Sequence, residues 1–149
     1  MSNTENKELS KLININEDAC EFYKYAQEKS ENASFKRTFR DLESLHRSVI
    51  INLQECIRVN GGDPEADETL SGQARQMWGE LMASISNDVD ETLVSHLEEA
   101  EDRCLNSIED TMKEEDLSAP TKTVLGNEHS ALQKSHDYMK TLKDTLKAA

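Results

Sequence analysis

Apolar residues recur along this chain at helical spacing from near its start to its end, and strand-like alternation is absent. The first stripe, Leu12, Ile15, Ala19, Phe22, Tyr23 and Ala26, predicts a helix from about Thr4 to Ser30. Ser30-Glu31-Asn32-Ala33-Ser34 holds polar, cap-forming residues and predicts a tight reversal. The second stripe, Phe35, Phe39, Leu42, Leu45, His46, Val49, Leu53, Cys56 and Ile57, carries a helix to about Asn60. Gly61-Gly62 should end it by accepting a left-handed backbone.

A loop, Gly61 to Asp67, then leads to a shorter amphipathic helix from about Thr69 to Ser86, with Leu70, Ala74, Met77, Trp78, Leu81 and Ile85 inward. Asn87 and Asp88, followed by Asp90 and Glu91, mark a fresh helix start. The third long helix reaches about Lys113 on Leu93, Leu97, Ala100, Cys104, Ile108 and Thr111. Ser118-Ala119-Pro120 suits the first turn of a last helix, with Leu125, Leu132, His136, Met139 and Leu146 inward. Short reversals make helices one and two antiparallel neighbours, and likewise three and four. A connector of roughly 25 residues is long enough to return along a bundle whose helices are ~40 Å long. The expected fold is all-α: a four-helix bundle of two antiparallel pairs joined by a long crossover with a short fifth helix, as one domain over residues 1–149.

The halves also resemble each other. Glu17-Asp18-Ala19-Cys20 parallels Glu101-Asp102-Arg103-Cys104, and Leu42-Glu43-Ser44-Leu45-His46 parallels Leu132-Gln133-Lys134-Ser135-His136.

Composition narrows the function classes. Thirty acidic against 17 basic residues give a net charge of −13, which opposes binding to nucleic acid or an anionic membrane surface. No apolar run is long enough to cross a bilayer, and the N-terminus lacks a signal-peptide pattern, so a cytoplasmic location is expected. Cys20, Cys56 and Cys104 are widely spaced and odd in number, as expected of reduced core thiols. No nucleophile-elbow, phosphate-loop or dinucleotide-binding pattern is present, so an enzyme of those classes is not expected.

With its helix order, its crossover, Glu17-Asp18, Phe39-Arg40-Asp41-Leu42 and the Trp78 helix, the chain resembles the ferritin-like superfamily, most of all its short bacterial four-helix-bundle members of unknown function. In metal-binding branches, helices one and three each give a glutamate, and helices two and four each give Glu-x-x-His. That likeness implies iron or manganese, and oxygen, peroxide or iron handling, where the set is complete. Here Glu43 and His46 match one Glu-x-x-His, but helix four offers Gln133 with His136. Helix three offers Glu101 or Glu98, and helix one Glu17, Asp18 or Glu21.

Helical geometry turns Glu17 and Glu21 to water and puts Asp18 and Glu43 at the edges of their stripes. Glu101 lies nearer an inward face, and His46, Glu128, His129 and His136 lie within inward faces. The candidate metal ligands are thus Glu43, His46, Glu101, Glu128 and His136. An inward histidine such as His46 is more often a hydrogen-bonded core residue, in a metal-free bundle a neutral imidazole that resists protonation. Glu128, His129 and His136 together read more readily as a buried polar network than as a metal site. Three readings stand side by side. One is a non-catalytic interaction or stress-associated bundle with a degenerate metal site, binding no cofactor. Another is a dimetal oxidoreductase or iron-handling protein. The third is a structural homo-oligomer using Val94, Leu105 and Met112, just off the core face.

Overall fold

A computed structural model of the chain describes residues 2–64, 79 and 89–148. Four long helices, α1 (Ser2–Lys29), α2 (Ala33–Val59), α3 (Val89–Met112) and α4 (Ala119–Ala148), make up this structure, and no strand occurs among the described residues. The expected helix from Thr69 to Ser86 and the caps at Asn87 and Asp88 lie outside the described residues.

The helix ends follow local chemistry. The Asn32 side chain accepts hydrogen bonds from the backbone N–H groups of Ser34 and Phe35, at 2.9 and 3.1 Å, and so starts α2. At its other end Gly61 takes φ +82°, while Gly61 N donates to Arg58 O and Gly62 N to Ile57 O, both at 2.9 Å. This pair of bonds closes the last turn and needs a left-handed residue, which glycine supplies without steric cost. At the start of α4, Ser118 donates through its backbone N–H and its hydroxyl to the buried Glu5 carboxylate, at 2.8 and 2.9 Å. That contact fastens the beginning of α1 to the beginning of α4.

Cross-helix contacts fix the directions. Asn60 reaches Asn6, and His46 reaches Asn16, so α1 and α2 are antiparallel. His129 reaches Glu109, and Lys143 reaches Glu98, so α3 and α4 are antiparallel too. Tyr23–Glu101 with Ile15–Cys104 sets α1 against α3, and Asn52–Glu128 with His46–Ser135 sets α2 against α4, again antiparallel. It follows that α2 and α3 run parallel, with Asn60 and Val89 at opposite ends of the bundle.

The core is two apolar clusters in series. One includes Leu9, Leu12, Leu53, Ile57, Ile108 and Leu125, and the other Phe22, Tyr23, Phe39, Leu93, Leu97 and Met139. Leu42 is buried and Glu21 exposed, as their places on the stripes require. Val94 and Leu105, offered above as an outer association surface, are instead core residues at 0 % and 7 % exposure, while Met112 is exposed. The apolar face of α3 is wider than its central stripe, because α3 packs against both α1 and α4. Cys20, Cys56 and Cys104 are free and buried. Burial pushes the Cys20 thiol up to about 12 and that of Cys104 well above its usual value, so neither is a ready nucleophile.

Candidate functional site

Between the two apolar clusters lies a layer of polar side chains from all four helices. Buried positions on α1 and α4 alternate in steps of four and three residues: Glu5, Leu9, Leu12, Asn16, Ala19, Tyr23 and Ala26 on one, Thr121, Leu125, Glu128, Leu132, Ser135 and Met139 on the other. This spacing lines one seam of each helix against its neighbours. Where a polar residue occupies a seam position, it must find a partner inside.

His46 of α2 stands at the centre, with no exposed surface. The Asn16 amide nitrogen donates to Leu12 O at 2.8 Å, leaving its carbonyl oxygen to face His46 Nδ1 at 2.7 Å. Nδ1 therefore carries a hydrogen and donates. On the other side of the ring, Nε2 lies 3.0 and 3.1 Å from the two carboxylate oxygens of Glu101 on α3. Glu101 also accepts a hydrogen bond from Ser135 Oγ at 2.6 Å and one from the Tyr23 hydroxyl. The Tyr23 and His46 rings are in contact, with centroids 5.7 Å apart.

Burial pushes the Glu101 carboxyl up, but hydrogen bonds from His46, Ser135 and Tyr23 and the charge of His46 outweigh it, so the group sits below its ordinary range. Asn16 thus holds Nδ1 and the Glu101 carboxylate faces Nε2, so the ring is clamped between an amide oxygen and an acid. The surroundings differ from those the stripe suggests: α2 is apolar on either side of His46, but α3 presents an acid across from it. Burial raises the Tyr23 hydroxyl well above its usual value, and the Glu101 charge and their bond add to the shift, so Tyr23 remains a donor.

The other candidate ligands are dispersed. Glu43 sits at the edge of α2, where it accepts from Gln27 Nε2 at 2.8 Å and from Arg47 at 2.7 and 2.9 Å. Glu128 is buried, 2.5 Å from the donating Asn52 amide; burial raises its carboxyl, and the Asn52 bond opposes this in part. His136 is not on the inward face as expected but on the flank of α4, because Ser135 takes the seam position. Its Nε2 is 2.5 Å from Asp102 Oδ1. His129 is likewise only partly buried, 3.0 Å from Glu109. Of the candidate set, only His46 and Glu101 come together. Asn16, Tyr23 and Ser135, which complete their site, were not among the candidates; the four-three spacing of the seams is the signal that marks them.

Nearer the Cys20–Cys104 level, Asp18 of α1 is half-buried beside Arg103, whose guanidinium lies 6.0 Å from the Phe22 ring centroid. Burial raises the Asp18 carboxyl from 3.8 to about 6, with Arg103 opposing and Glu17 and Glu21 adding to the rise. A raised carboxyl is a penalty on the folded state, absent below the unfolded value, growing as pH rises to the folded one and constant above it. Asp18→Asn should therefore stabilise the protein by about 1–2 kcal/mol at neutral pH, partial exposure lowering the effect. Urea unfolding at about pH 4 and pH 7 measures this, since most of the gain should be lost at the lower pH. An equal gain at both values would refute the assignment.

The family described as Domain of unknown function (DUF2383) matches residues 4–114, which cover α1 through α3. No curated protein matches the chain.

Proposed function

The chain belongs to the DUF2383 family, and we propose that it is a non-catalytic, ferritin-like bundle in which a closed hydrogen-bond network replaces a dimetal centre. One observation carries the reading: among the described residues, the polar side chains of the central layer, Asn16, Tyr23, His46, Glu101 and Ser135, are hydrogen-bonded to one another. Glu101 accepts from three side chains, and both His46 nitrogens are engaged. The Glu43 carboxylate, which a bridging role would turn inward, is held outward by Arg47 and Gln27. Gln133, in place of a second glutamate, donates to Asp137 at 2.9 Å on the surface of α4. A pair of divalent ions needs several free carboxylates converging on it, and these residues do not fit that requirement. The parallel run of α2 and α3, with every neighbouring pair antiparallel, supports the ferritin-like reading of the topology. Such a core gives register and a fixed interior, the role of a structural or interaction module.

The test uses full-length protein stripped with a chelator and melted in rising concentrations of iron(II), manganese(II) or zinc(II). Any rise in Tm should be unaffected by His46→Gln and by Glu43→Ala. A metal-dependent rise that disappears with both substitutions would show ions bound in the core and overturn the reading.

A further inference from the structure

The flank between α3 and α4 carries a second set of titratable side chains, separate from the core layer. Glu98 and Asp102 are one helical turn apart on α3 and so share a face. His136 of α4 stands opposite them. A carboxylate oxygen from each acid and a ring nitrogen of His136 all lie within 4.8 Å of one another, and all three residues are partly buried. Nδ1 of His136 is 3.2 Å from Asp137 Oδ1, and that same oxygen accepts a bond from the Gln133 amide. Asp137 thus holds the Nδ1 hydrogen and leaves Nε2 directed at Asp102 and towards Glu98. A carboxylate on the far ring nitrogen is the arrangement that orients a ligating histidine and makes it more basic. Lys143 Nζ rests 3.2 Å from Glu98 Oε2, placing a positive charge where a cation would neutralise the acids.

We propose that Glu98, Asp102 and His136 bind one divalent transition-metal ion of the zinc class, with water completing its coordination. One imidazole and two carboxylates form a mixed nitrogen and oxygen donor set, suited to zinc, manganese or iron(II). Binding displaces the hydrogen of His136 Nε2 to solvent, and the flexible Lys143 side chain yields its contact with Glu98. The site uses neither His46 nor Glu43, so it goes beyond the reading of the core and can fail independently of it.

The experiment is calorimetric titration of chelator-stripped, full-length protein with zinc(II), repeated with cobalt(II) to follow visible ligand-field absorption. One ion per chain should bind. His136→Ala should abolish the cobalt spectrum and weaken zinc binding by more than about tenfold, and Asp137→Asn should weaken it by about tenfold. His46→Gln should leave both readouts unchanged. Circular dichroism melts establish that each variant is folded. Absence of a saturable site, or full zinc binding in folded His136→Ala, would overturn the proposal. Loss of binding in His46→Gln with retention in His136→Ala would overturn both this site and the metal-free reading of the core.

Discussion

Glu101→Ala is expected to destabilise the protein by about 3–5 kcal/mol, the cost of removing the shared acceptor of a buried network from one side. The substitution leaves His46 Nε2 without its buried partner, and leaves the Tyr23 and Ser135 hydroxyls without their acceptor. Glu101→Gln should cost less, because an amide oxygen still accepts hydrogen bonds although the charge is lost. Joint replacement of His46 by Leu and Glu101 by Met removes both partners and should recover part of the loss. Recovery should be incomplete, since Asn16, Tyr23 and Ser135 would remain buried and underbonded. Acid should act in the same direction. A carboxyl held below its ordinary range contributes stability above its unfolded value, and that contribution disappears as pH falls through the folded one. Chemical denaturation of the three variants measures these differences. A cost below about 1 kcal/mol for Glu101→Ala would mean that the layer is not a coupled unit.

Phe39→Ala should be about as damaging, at about 3–5 kcal/mol, through a different mechanism. Phe39 is fully buried, with the rings of Tyr23 and Phe35 each centred 6.2 Å from its own. Truncation opens a cavity beside Tyr23 and removes the ring that holds it in place for Glu101. The loss should therefore be smaller in a Tyr23→Phe background, where no hydroxyl depends on that placement. Equal losses in both backgrounds, again by denaturant unfolding, would show that Phe39 packing and the polar layer are independent.

Much of this fold was legible in the sequence because each helix declares its own inward face. Leu42, Leu53, Leu97 and Leu132 lie on period-matched stripes, and Asn32 and Gly61 carry the chemistry of a start and a stop. The inward setting of His46 and Glu101 was legible for the same reason. Their pairing was not, since a stripe says which way a residue points and not what stands opposite it. His136 shows a second limit. Reading helix four on the stripe Leu125, Leu132, Met139 and Leu146 put the histidine inward, whereas the four-three alternation from Thr121 to Met139 puts Ser135 in the seam. Asn16 was missed in the same way, as one polar residue within an apolar stripe. The reach of α3 into two interfaces also brought Val94 and Leu105 inside.

The polar layer is divided unequally between the two helical hairpins, and this bears on how the chain finds its own partner. The first hairpin brings the imidazole, His46, with Asn16 and Tyr23; the second brings the acid, Glu101, with Ser135. The halves are alike in size and pattern, so two first hairpins from different molecules, or two second ones, could otherwise pack in much the same way. Two first hairpins would bring two imidazole rings together with no acid between them, and two second hairpins would bury two carboxyls with no base. Only the pairing of unlike hairpins gives both sides of the layer their hydrogen-bond partners. The match of ring and acid across the halves therefore favours docking of one hairpin on the other over self-association of either.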